Sequence, residues 1–107
     1  MTEIQLPLAV PVDHPSFAGH FPGRPIVPGV VLLDEVMQAA TRHVPGWEQA
    51  SQAGIAIPVC KFLLPVLPGA RLTLTLTPGA QAGSLTFQLR QDGQAVASGS
   101  LIAKGGA

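Results

Sequence analysis

One stretch of this chain reads as a long helix, and it is apolar on most of its circumference. Val30 to about His43 (VVLLDEVMQAATRH) carries helix formers throughout, with no Gly or Pro until Pro45-Gly46 stops it. A helix that is apolar nearly all round is expected to be buried. The chain around it has the other periodicity. Residues 4–10 (IQLPLAV) alternate, with Pro7 limiting the strand to an edge-like position. Residues 55–64 read as a strand interrupted by Pro58, and RLTLTLT (71–77) turns its leucines in and its threonines out. SLTFQLRQ (84–91) puts Leu85, Phe87 and Leu89 on one face, and QAVASGSLIAK (94–104) follows Asp92-Gly93, a strong hairpin signal. Trp47–Gly54 is read as a loop. Short turns between strands favour antiparallel pairing. One helix inside one curved antiparallel sheet, an α+β fold, is the compact solution, with residues 1–107 as a single domain.

Between the first strand and the helix lies PVDHPSFAGHFPGRPIVPG (11–29), with five prolines and three glycines, which cannot be a regular element. Long irregular segments inside small domains are usually functional. This one runs into the helix at Pro28-Gly29, where no Ser, Thr, Asp or Asn stands as an N-cap. Amides left open there are capped by water in an ordinary helix; they can also hold an anion or a polarised carbonyl oxygen. His20 sits in the loop and Asp34 on the otherwise apolar helix. Burying a carboxylate is costly unless it is paired or used. Gln38, one turn on, could orient it. Glu35 is the natural control.

Composition narrows the class. Charged residues make up 11% of the chain, against about 25% in an ordinary soluble domain. Some apolar surface is therefore expected to meet a partner or a second copy. Six acids balance six bases, which argues against nucleic-acid binding. One cysteine makes no internal disulfide, and Cys60 reads as a small core residue rather than a nucleophile. Three histidines without ligand spacing give no metal site, and no nucleotide, flavin or nicotinamide motif is present. The start, MTEIQLPLAV, lacks the basic region of a signal peptide, and no run is long enough to span a bilayer. The expected location is the cytoplasm.

Residues 13–40 (DHPSFAGHFPGRPIVPGVVLLDEVMQAA) resemble the signature of the 3-hydroxyacyl-acyl-carrier-protein dehydratases, the FabA/FabZ family of the hot-dog fold. The pattern H-F-P-G-x-P-x-x-P-G-V-x-x-x-[D/E]-x-x-x-Q matches from His20 through Asp34 to Gln38, and KFLLPVLPGARL (61–72) is similar to the family's second motif. The resemblance implies dehydration of 3-hydroxyacyl thioesters, on acyl carrier protein or coenzyme A, to trans-2-enoyl thioesters without a cofactor. It makes His20 the base at C2, Asp34 the acid at the C3 hydroxyl, the Gly29 amide the carbonyl donor and Gln38 the support for the carboxylate. It also implies a homodimer with active sites shared between subunits, or a heterodimer with a homologue. Phe17, Phe21, Val31 and Met37 would wall an acyl tunnel or belong to the core. Asp34 stands where the simple branch of the family has glutamate and the isomerising branch aspartate, so double-bond isomerisation stays open. Ala70 replaces an aspartate common in the second motif. The rival readings are a hot-dog thioesterase and a non-catalytic partner subunit or carrier-binding module.

Overall fold

The computed structural model describes residues 3–10, 27–81 and 83–105. Its strands are β1 (Ile4–Ala9), β2 (Ile55–Phe62), β3 (Arg71–Pro78), β4 (Ser84–Gln91) and β5 (Gln94–Ala103). Its helices are α1 (Gly29–His43) and the single turn α2 (Trp47–Ala50), which continues into a 3-10 turn at Ser51–Ala53. The stretch read as a loop after α1 is thus helical in part. It is too short for any periodicity to show, and the buried Trp47 holds it against the core.

The strands pair antiparallel in the order β1-β3-β4-β5-β2. Pro7 sits in β1 at one edge, where its missing N–H costs little. At the other edge β2 pairs with β5 and slips register between Ala56 and Val59, around Pro58. Asp92 (φ 52°) and Gly93 (φ 80°) make the β4–β5 turn, both in the left-handed region that a two-residue hairpin demands. The inward rows follow from the register. Leu6, Leu74, Leu89 and Ala97 form one and continue to Phe62; Ile4, Leu76, Phe87 and Gly99 form the next and continue to Cys60. Val31, Leu32, Val36 and Ala40 of α1 join these leucines in one core. The result is the hot-dog arrangement, an antiparallel curved sheet around one helix. Among the described residues no helix is long and apolar enough to cross a membrane.

Gly99 is a required glycine. A Cβ there would run into the Val59 carbonyl oxygen and lie 2.6 and 2.8 Å from two ring carbons of Phe87. Neither the β2 backbone nor a buried ring can retreat without opening the sheet. Gly99→Ala is expected to cost about 1–3 kcal/mol through overpacking. The melting temperature read by circular dichroism should fall by roughly 4–8 °C per kcal/mol. An unchanged melting temperature would show that β2 is free to move away from β5.

Candidate active site

α1 starts at Pro28-Gly29 with no side-chain cap. The Val31 and Leu32 amides donate to the Pro28 carbonyl at 3.0 and 3.4 Å. No backbone acceptor among the described residues takes the Gly29 or Val30 amide. At 3.6 residues per turn, Leu32, Val36 and Ala40 face the sheet, which puts Val30, Asp34, Gln38 and Thr41 on the opposite side. The helix is not covered all round: Val31 is buried as well, but Val30 is 70% exposed.

Asp34 is half-buried on that open face. The Gln38 side-chain amide donates to Asp34 Oδ2 at 2.7 Å, one turn away. The two groups form a local carboxylate–amide pair five and nine residues from Gly29. The Cα of Asp34 lies about 7–8 Å along the axis from that of Gly29, and helical side chains lean back toward the N-terminus. Glu35, next in sequence, turns elsewhere. With Gln38, Arg42 and His43 it lines a small groove against Leu6–Ala9 of β1.

At the helix start itself, an apolar groove of about 370 Å³ runs between Val27–Gly29 and Leu32 on one side and Phe62–Val66 on the other. The Val27 amide donates to the Val66 carbonyl at 2.7 Å and holds the two sides together. Phe62, at the end of β2, lays its ring tip against Gly29: a Cβ on residue 29 would fall 2.6 Å from its Cζ. The missing side chain of Gly29 thus makes room for Phe62. Neither local periodicity nor spacing carries that contact, which joins residues 33 positions apart.

The other expected site residues fall in three places. Val31 is buried in the core and Met37 is half-buried against it. Phe17, His20 and Phe21 lie outside the described residues. Cys60 is half-buried on the inward face of β2, and burial pushes its thiol above the ordinary range, the opposite of what a thiolate nucleophile requires. A larger cavity, about 480 Å³, lies at the far end of α1 between Trp47 and the β3–β4 turn and contains none of the motif residues.

Three comparisons place this arrangement. The family described as ApeI-like, ApeI dehydratase, matches residues 1–100. The 3-hydroxyacyl-[acyl-carrier-protein] dehydratase FabZ of Anaeromyxobacter sp. (strain Fw109-5) is 33% identical over 103 residues, covering 90% of this chain and 63% of that protein. FabZ of Mannheimia succiniciproducens is 42% identical over 71 residues, covering 61% of this chain and 46% of that protein. The chain thus spans less than two thirds of the length of these curated relatives. The dehydratase heterocomplex ApeI:P from Xenorhabdus doucetiae superimposes with a TM-score of 0.74 at 30% identity, over 94% of this chain and 86% of that one. The match over residues 1–100 carries the conclusion: the chain belongs to the ApeI-like dehydratase family.

Proposed function

We propose that this protein is a hydro-lyase that converts 3-hydroxyacyl thioesters, carried on acyl carrier protein or coenzyme A, to trans-2-enoyl thioesters in a fatty-acid or polyene/polyketide-type synthesis. The observation that carries the reading is the Asp34–Gln38 pair on the open face of α1, just beyond an uncapped helix start. The names of its dehydratase relatives support it.

In this mechanism the thioester carbonyl oxygen accepts a hydrogen bond from the Gly29 amide, a donor fixed before charge develops. His20 takes a proton from C2, and the electron pair moves onto the thioester as an enolate. The pair returns to form the C2=C3 bond as the C3–O bond breaks. Asp34 gives its proton to the departing oxygen, which leaves as water. Gln38 holds the carboxyl oxygen that does not transfer the proton, so the other faces the substrate. Proton transfers of this kind contribute about 10²–10⁴ each to the rate.

The chain works as a dimer with shared sites. Ile57, Val59, Phe62, Leu63, Leu64 and Leu67 are exposed apolar residues on and just beyond the edge strand β2. An unpaired edge of this kind is suited to pairing with a second chain. That chain is a second copy or a homologue; the heterocomplex named for the Xenorhabdus doucetiae structure favours keeping both. A soluble acyl carrier or coenzyme A substrate suits a cytoplasmic enzyme. The test is mass-spectrometric product analysis with a panel of 3-hydroxyacyl thioesters. Loss of water, with the thioester intact, is the expected result. Free acid and thiol would make the protein a thioesterase, and turnover only after adding a homologous subunit would make it the silent half of a heterodimer.

A further inference from the structure

Phe62 combines two properties that a plain core residue does not have. It is 51% exposed, yet its ring tip is in tight contact with the first residue of α1. Its position is not adjustable from the backbone. Phe62 pairs with Ala97 of β5, and the next two amides, of Leu63 and Leu64, both donate to the Val96 carbonyl at 2.9 and 3.3 Å. The ring therefore projects from a pinned strand end across to the helix start. The groove it borders is lined by valine, leucine, proline, glycine and phenylalanine, with no charged or polar side chain among the described residues. Such a lining accepts hydrocarbon and rejects a phosphate or a charged carrier surface.

The geometry points to Phe62 as a specificity-determining residue, one that limits the bulk of the acyl group beside the thioester. This rests on the dehydratase reading above. If the carbonyl oxygen is held by the Gly29 amide, the carbons next to it pass within van der Waals reach of a ring already touching Gly29. The ring sets the width available there. Straight acyl chains fit beside it; chains branched close to the reacting carbons meet the ring.

The experiment compares wild type, Phe62→Ala and Phe62→Trp with two N-acetylcysteamine thioesters, 3-hydroxyoctanoyl and 3-hydroxy-4,4-dimethylpentanoyl. The readout is the ratio of kcat/KM, branched over straight. Phe62→Ala is expected to raise that ratio by about tenfold or more, the scale on which apolar pockets discriminate by a carbon or two. Phe62→Trp should lower it. Because the ring is half exposed, circular dichroism and melting should show both variants folded. A ratio that moves by less than about twofold in both variants, in a protein that does dehydrate the straight substrate, removes this role from Phe62 and leaves the dehydratase standing. A wild type that dehydrates neither these thioesters nor their acyl-carrier-protein counterparts overturns the dehydratase reading, and this role with it.

Discussion

Asparagine in place of Asp34 is expected to lower kcat for dehydration by about 10²–10⁴, the range assigned to a general acid, with KM little changed. The substitution keeps the shape of the side chain and an oxygen that the Gln38 amide can still bond at the position of Oδ2. It removes only the proton that the departing hydroxyl needs. A loss made in the transition state alone appears in kcat, not in KM. Glu35→Gln is the internal control: Glu35 faces the β1 groove rather than the helix start, and its loss should change kcat by no more than a few-fold. A larger loss in Glu35→Gln than in Asp34→Asn would reassign the acid. His20→Ala should fall in the same range as Asp34→Asn, with the protein still folded. The double variant should be little worse than either single one, because residues acting on one proton-transfer sequence are far from additive. Full activity in His20→Ala would take that histidine out of the mechanism.

Local patterns announced most of the fold, for physical reasons visible at single residues. Alternating leucines and threonines mark β3 because a pleated strand sends successive side chains to opposite faces. Asp92-Gly93 marks the hairpin because few residue pairs tolerate two positive φ angles in succession. The stop of α1 at His43 follows from Pro45-Gly46. What depends on distant packing was not legible. β2 precedes β3 in the chain but lies at the far edge beside β5, and no turn signal encodes that crossover. The apolar circumference of α1 reads as burial all round, whereas Val30 remains open; the pattern records that a surface is apolar, not what covers it. In the site, Asp34, Gln38 and Gly29 were legible as a spacing along one helix. The Phe62 contact was not, since it depends on where a strand end meets a helix start. His20, Phe17 and Phe21 rest on the motif alone.

The sheet's alternation also sets up the largest stability effect expected of a single substitution, with its own control one residue away. Leu74 is fully buried at the middle of β3, between Leu6 of β1 and Leu89 of β4. Leu74→Asp removes a core side chain, which costs about 2–5 kcal/mol when a leucine is merely truncated. It also places a carboxylate where no described cation can reach it, a further cost of several kcal/mol even if the group protonates. A domain of this size has only about 5–15 kcal/mol of stability in total, so the variant is expected to lose its cooperative thermal transition. Thr73, its neighbour, points to solvent and lies directly opposite Arg90. Thr73→Asp puts the same carboxylate on the other face, against a cation, where cross-strand pairs of opposite charge contribute about 0.2–1 kcal/mol. Its melting temperature should therefore stay close to wild type or rise slightly. The two variants have the same charge and composition except for the side chain replaced, so a difference in melting isolates the face of the sheet. Equal melting temperatures would mean that β3 does not hold this register and that Leu74 does not sit between Leu6 and Leu89 in the core.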